Sequence, residues 1–238
     1  MLAIMNAKNQ FRPIFSTLIK QVRVCFILLT VLFSSLLSSY SEDEDLNYDF
    51  VKAATQGKIE TVKTLLQKGA DINAKVLNGQ TALMLASFNG QEAVVNYLLE
   101  KGADANLQGS LKETALHAAS ANGHKKIVEL LVKGGADFRV SDTGLTPLMM
   151  AVAGGHSQVA EFLLSKGENV NAKQPDGWTV LMHAAVKSDP DTIKLLLAKG
   201  ADPTPKNKDG KTAADIAEEY KHGEIAKLIK NSSQPGKK

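Results

Sequence analysis

Thr81-Ala-Leu-Met-Leu-Ala is the first copy of a motif that returns along the chain at a nearly fixed spacing. The further copies are Thr114-Ala-Leu-His-Ala-Ala, Thr146-Pro-Leu-Met-Met-Ala, Thr179-Val-Leu-Met-His-Ala and Thr212-Ala-Ala-Asp-Ile-Ala. The steps between successive threonines are 33, 32, 33 and 33 residues. Self-similarity at a period of roughly 20 to 50 residues indicates stacked structural repeats, so this motif decides the fold.

A second motif stands in register with the first. Twenty-one residues after each of the first four threonines come Gly102-Ala-Asp, Gly135-Ala-Asp, Gly167-Glu-Asn and Gly200-Ala-Asp. Counting back 33 residues from Thr81 gives Tyr48 and a degenerate first unit whose Gly69-Ala-Asp is intact. Because several motifs recur in register over about residues 46–231, the sequence resembles the ankyrin repeat family.

The resemblance implies an all-α fold, an ankyrin-repeat solenoid of about six stacked helix–loop–helix units with hairpin-like loops. The domain would span 42–231, with units near 48–80, 81–113, 114–145, 146–178, 179–211 and 212–231, and 232–238 would form a flexible tail. The residues agree with this. Each unit's threonine suits a helix N-cap, a glycine such as Gly102 suits a left-handed helix end, and Asn78-Gly79 suits a turn. Neither short helix can bury its apolar face alone, so the units must share one core.

Residues 1–41 form a separate segment. They hold four basic residues and no acidic ones, followed by the apolar run Val24–Leu37, in the order expected of a secretory signal peptide. The run has fourteen residues, fewer than the roughly 20 that span a bilayer. We expect cleavage after Ser41, with an uncleaved anchor or a buried helix as alternatives, and translation starting at Met1 or Met5. The acidic run 42–45 is interpreted as a solvated tail after the cleavage site.

Removal of this leader changes the charge of the protein. The whole chain carries 28 basic and 25 acidic residues, a net charge of +3. Without the four basic residues of the leader, 24 basic residues face 25 acidic ones, which removes the reason to expect nucleic acid as a partner. The single cysteine, Cys25, also lies in the leader, and a mature chain without cysteine suits an oxidising compartment. The predicted location is the periplasm, with secretion as the alternative, and no stable membrane anchor remains after cleavage.

A search for catalytic or metal-binding motifs finds no constellation. His124, His156 and His222 fall ten residues after a unit begins, and His117 falls at another place where ankyrin repeats usually carry histidine; only His183 is off this pattern. No His-x-x-x-His or cysteine cluster suggests zinc, and no nucleophile elbow or complete phosphate loop is present. We therefore predict a protein with no catalytic residues, no metal site and no cofactor.

The resemblance instead implies a binding surface, made of the loop tips and the exposed ends of the first helices. Apolar and aromatic side chains at such solvent-facing places are typical of a contact patch. Trp178, the only tryptophan, belongs to this set, although it could instead fold down over its own loop. The predicted partner-binding residues are Leu77, Asn78, Phe88, Leu111, Glu113, Leu145, Trp178, Lys187 and Tyr220.

Several functions fit such a surface. The first is an exported binding protein, monomeric when free, that inhibits or shields an exported enzyme such as a cell-wall hydrolase, in the manner of a self-protection protein. The second is a secreted effector that binds a host protein, and a third is a periplasmic scaffold or stress-protection factor. An enzyme would require a site of a kind that the sequence does not reveal.

Overall fold

The computed structural model describes residues 42–138 and 144–232, so the predicted leader lies outside the described part. The chain divides into two compact segments, Met1–Asp45 and Leu46–Lys238, and the second segment contains the repeat units. The described residues form twelve α-helices in six pairs. The helices are α1 (Glu42–Thr55), α2 (Ile59–Gln67), α3 (Ala82–Phe88), α4 (Glu92–Glu100), α5 (Ala115–Ala121), α6 (Lys125–Lys133), α7 (Pro147–Gly154), α8 (Ser157–Ser165), α9 (Val180–Lys187), α10 (Pro190–Ala198), α11 (Ala213–Glu219) and α12 (Gly223–Ser232).

The motif threonines begin the first helix of each unit from the second onward. The Thr81 hydroxyl accepts the backbone N–H of Met84 at 3.2 Å, and Thr146, Thr179 and Thr212 make the equivalent bond. Pro147 occupies the first helical position, where its missing N–H costs nothing. The predicted N-caps are thus confirmed at these units. Each cap contributes about 1 kcal/mol to stability.

The first and last helices depart from the predicted boundaries. Helix α1 begins at Glu42 and runs for 14 residues, so residues 42–45 belong to a helix and not to a tail. Carboxylates suit this place because a helix N-terminus carries a partial positive charge. At the other end, α12 includes Ser232, one residue beyond the predicted domain end, and residues 233–238 lie outside the described part.

The core is a ladder of equivalent side chains from successive units. Helices α3, α5, α7, α9 and α11 contact one another in that order, and the second helices of the units contact their neighbours in the same way. The third motif residue is fully buried in four units, as Leu83, Leu116, Leu148 and Leu181. Burying a leucine contributes roughly 1.5–3 kcal/mol, and here every such contribution depends on a neighbouring unit.

Regular hydrogen bonds fix each unit against the next. His124 Nε2 lies 3.1 Å from the carbonyl oxygen of Phe88 in the preceding unit, and His156 and His222 make the same kind of contact with Ala121 and Ala185. A second series uses asparagine side chains. Their Oδ1 atoms accept a backbone N–H from the next unit in the pairs Asn73–Asp104, Asn106–Asp137 and Asn171–Asp202, at 2.7–2.9 Å.

The loops between units are hairpin-like, as predicted. Lys75 pairs with Thr81, and Lys173 with Thr179, each through an isolated antiparallel β-bridge. We call these loops the fingers. Neighbouring fingers also bond to each other, since the Ser110 N–H donates to the Asn78 carbonyl at 2.9 Å. The fingers are therefore held in place by the stack rather than attached to it only at their ends.

Candidate partner-binding surface

The described fingers and the exposed ends of the first helices form the surface that we call the finger face. Its members occupy positions one to four places before the motif threonines and the ends of the first helices. These positions are fixed by the N-caps and by the cross-unit bonds described above. The finger face is therefore a pre-formed surface, which lowers the entropy lost when a partner binds.

The finger Gly109–Glu113 carries the most exposed apolar side chain. Leu111 is 65% exposed, the largest value for any bulky hydrophobic residue in the described ranges. The Glu113 carboxylate stabilises this finger, because it accepts the Leu111 N–H at 2.9 Å and also a hydrogen bond from the Gln80 side-chain amide. Glu113 is half-buried and joins two fingers, while Asn78 is exposed at the neighbouring tip.

The next described tip, Gln174–Trp178, is hydrogen-bonded to α9, the helix that follows it. His183 on α9 is 4% exposed, and its Nε2 lies 2.7 Å from the Gln174 side-chain oxygen. The indole ring of Trp178 lies 5.2 Å from the His183 ring, between centroids, and is inclined to it by 42°. Trp178 therefore packs partly on α9 and remains half-exposed on the finger face.

The remaining predicted residues lie along the same face. Phe88 and Tyr220 are half-exposed at the ends of first helices, Lys187 is exposed at the end of α9, and Leu145 is half-exposed just before α7. The side chain of Leu77 lies outside the described residues. The face thus combines apolar groups in its middle units with a cationic group and a tyrosine towards the last unit.

Three titratable side chains, His117, Glu168 and His183, are buried and so are not part of the exposed finger face. Burial lowers the pKa of His117, whose Nε2 lies 3.0 Å from the Leu145 carbonyl, and lowers the pKa of His183 to about 4. Since a carbonyl only accepts, His117 carries a proton on Nε2, and its Nδ1 accepts the Thr114 N–H at 3.4 Å. Burial raises the pKa of Glu168 to about 7, against the opposing effect of hydrogen bonds from the Thr146 hydroxyl and the Leu148 N–H.

These buried groups serve the scaffold. Glu168 is 5% exposed and its Oε1 accepts the first free N–H of α7, whereas the other intact units have alanine at this place. Each of the three side chains bonds to the start of a helix or to a finger, in its own repeat unit or in a neighbouring one. Within the described ranges, no three residues among His, Cys, Asp and Glu come close enough to hold a metal ion. In the same ranges, every helix is too short or too polar to cross a membrane.

Sequence reasoning missed the partners that hold the fingers. Gln80, Gln174 and Glu168 were not singled out, yet each supplies a side-chain bond that positions a tip or a helix start. A signal for one of them exists: Gln80 and Glu113 stand 33 residues apart, so they occupy equivalent places in adjacent units. Equivalent places in a stack are neighbours, which makes such pairs predictable.

The architecture defines a class of protein, a solenoid of helix–loop–helix repeats whose fingers and first helices present one continuous surface. A family model of ankyrin repeats in three copies matches residues 32–109, 101–174 and 168–238, and the chain belongs to the ankyrin repeat family. Its fold is a protein-binding fold. The predicted family and fold class are both confirmed.

Individual relatives agree with this assignment. The chain is 41% identical to the ankyrin repeat protein RF_pd14 of Rickettsia felis over 54 residues, which are 23% of this chain and 82% of that protein. It is similar to an ankyrin repeat domain from Acinetobacter baumannii, with 31% identity and a TM-score of 0.70 over 78% of this chain and 97% of that one.

A further solved structure shows a relative in a complex. It contains the predatory endopeptidase Bd0816 from Bdellovibrio bacteriovorus and the immunity protein Bd3460. The match has 35% identity and a TM-score of 0.70, and it covers 76% of this chain and 96% of the matched chain.

Proposed function

We propose that this chain is an exported, non-enzymatic binding protein that protects its own cell by occupying the surface of an exported enzyme, with a cell-wall hydrolase as the best candidate. The observation that carries the proposal is the similarity to the complex of an immunity protein with an endopeptidase, at 35% identity over 96% of the matched chain. At this identity the likeness extends beyond the fold, and it suggests an enzyme as the partner.

The finger face supports an occluding mode of action. A specific interface buries about 800 Å² on each partner, and a few central apolar or aromatic side chains contribute most of the affinity. Leu111, Trp178 and Leu145 are of this kind and lie on successive fingers. A rigid stack placed over an active-site cleft would exclude substrate without any chemistry of its own.

The proposed location rests on residues 1–41. Their order of basic residues, apolar run and small residues before an acidic stretch favours export followed by cleavage. A fusion of residues 1–45 to a reporter that is active only outside the cytoplasm tests this part separately. An inactive reporter, with the fusion protein intact in the cell, would contradict export.

The binding surface is tested with the double variant Trp178→Ala with Leu145→Glu. We expect it to lose capture of the exported partner and protection against the enzyme's activity, while its thermal unfolding stays close to that of the wild type. The control is Phe162→Ala with Gln158→Glu on α8, which truncates one aromatic side chain and adds one negative charge on a second helix. Loss of binding in the control, or unchanged binding in the test variant, would refute the assignment of the finger face.

A further inference from the structure

The finger Gly109–Glu113 differs from the other fingers at two consecutive positions. The residue three places before the motif threonine is Asn78, Thr143, Asp176 or Asp209 in the other units, and it is Leu111 here. The next position is glycine in those units and Lys112 here. A single exposed leucine would need no explanation. Here the leucine stands beside a second departure, and the Glu113 carboxylate bonds its backbone N–H.

The first departure removes a side chain that closes the turn in another finger. In the finger before α9, the Asp176 carboxylate accepts the Trp178 N–H at 3.1 Å, two residues further on. Leucine cannot do this, and in the finger before α5 the Glu113 carboxylate accepts the Leu111 N–H instead. Glu113 has therefore taken over the closing of the turn, which leaves position 111 available for an apolar side chain.

The second departure places a lysine in a backbone conformation that favours glycine. Lys112 has φ +62°, in the left-handed region, where Gly79, Gly144, Gly177 and Gly210 of the other fingers have φ between +71° and +84°. The loop keeps this conformation because the Gly109 N–H bonds the Glu113 carbonyl and the Lys112 N–H bonds the Gly109 carbonyl, at 2.9 and 3.1 Å. Unfavourable backbone conformations that persist in this way cluster at functional sites.

We propose that Leu111 is the anchor of the partner interface and that it enters a recessed apolar pocket of the partner protein, with Glu113 as its positioning residue. This rests on the proposed function, and it adds the feature that the partner must offer, a pocket that takes one leucine side chain. The tip is exposed, and its neighbours Ser110, Lys112 and Asn78 are polar and exposed as well. A single apolar side chain with a polar surround fits the centre and rim of a protein interface, whereas it would gain little from a lipid surface.

Site-specific cross-linking tests the pocket directly. The full-length chain carries p-benzoylphenylalanine at position 111, or at position 209 of the last finger as the control, and is irradiated in the producing cell. We expect cross-links from position 111 to map by mass spectrometry to residues that line a recessed apolar pocket of one exported protein. Cross-links that map to lipid, to a flat surface, or equally from position 209 would overturn the inference.

Affinity measurements with that purified protein give the second test. Truncation of a central anchor lowers affinity about 30-fold or more, so we expect this loss for Leu111→Ala, with Leu111→Met within about 3-fold of the wild type. The control Asp209→Ala should bind as the wild type does. If Leu111→Ala binds as the wild type does while the double variant Trp178→Ala with Leu145→Glu does not, the assignment of Leu111 as the anchor is wrong and the proposed function stands. If neither variant changes binding, both are wrong.

The positioning role of Glu113 has its own readout. Glu113→Gln keeps the shape of the side chain but weakens its bond to the Leu111 N–H, so binding should weaken mainly through slower association, since the tip must be ordered first. Lys112→Gly should raise the thermal midpoint, because glycine adopts the left-handed region without strain, and should leave affinity within about 3-fold. An unchanged midpoint would show that this finger is not strained and would remove that support.

Discussion

Replacement of Glu168 by alanine should change how the stability of this protein depends on pH. Four of the other units have alanine at this position, as Ala70, Ala103, Ala136 and Ala201, so the substitution fits the backbone. In the wild type the Glu168 carboxyl is 5% exposed and accepts the Leu148 N–H. Burial raises its pKa from 4.5 to about 7.

The direction of the change in the free energy of unfolding follows from the number of protons that the folded and unfolded states bind. Between pH 4.5 and pH 7 the folded chain still holds the proton on Glu168, while the unfolded chain has lost it. Stability falls with pH wherever the folded state binds more protons, so this group favours folding at acid pH and the contribution is lost as pH rises through 7. Each pH unit of the window corresponds to about 1.4 kcal/mol, which gives about 3 kcal/mol in total.

The measurement is urea unfolding of the wild type and of Glu168→Ala from pH 4 to pH 8. The quantity compared is the difference between their free energies of unfolding, because His117 and His183 titrate with the opposite sign in both proteins and cancel. We expect Glu168→Ala to gain about 3 kcal/mol on the wild type as pH rises from 4.5 to 7.5. Glu161→Gln, which removes an exposed carboxylate of the same unit, serves as the control. A flat difference for Glu168→Ala would refute the argument from burial.

Two further pairs of substitutions test how the fingers are held. His183→Leu removes the hydrogen bond to Gln174 and the ring that contacts Trp178, so the tryptophan emission should move to longer wavelength. His183→Phe keeps a ring against the indole and should shift the emission less. Equal emission maxima in all three proteins would contradict this packing. Gly177→Ala would bring a Cβ to 2.9 Å from the Asn207 Cα at φ +84°, whereas Gly210→Ala at φ +73° meets nothing within 4 Å. Both lose the roughly 1 to 2 kcal/mol of a left-handed alanine in urea unfolding, and Gly177→Ala should lose measurably more; equal losses would contradict the close approach of the two fingers.

The parts of the fold that follow from backbone geometry were predictable from sequence. Thr81 and its equivalents cap helices because of their side-chain oxygen, and Gly102 and its equivalents have φ between +87° and +100° because only glycine adopts that region without strain. These requirements act within one unit and recur at a fixed period. The start of α1 at Glu42 was not predictable in this way, because the first unit lacks the threonine that marks a helix start.

The side-chain contacts of the finger face depend on pairs of units, and for this reason they escaped a search that treated one unit at a time. Gln80 and Glu113 illustrate this, since neither residue is unusual until the two are placed side by side. The same holds for His183, which looks like an irregular histidine in the sequence and proves to hold the Gln174 tip. In a stack, the residue 33 places away is often the nearest neighbour, so the informative comparison runs across units.

Departures from the repeat are therefore the informative positions of this chain, but they are of two kinds. Glu168 departs from alanine in the buried interior, where its contacts are all within the protein, and its consequences concern stability and pH. Leu111 departs from a polar residue at an exposed tip, where burial cannot explain it and where Lys112 departs with it. A substitution that fills the core needs no partner to account for it. An apolar side chain that stays exposed at a tip, on a loop that the Glu113 carboxylate orders, is the feature that the proposed partner pocket accounts for.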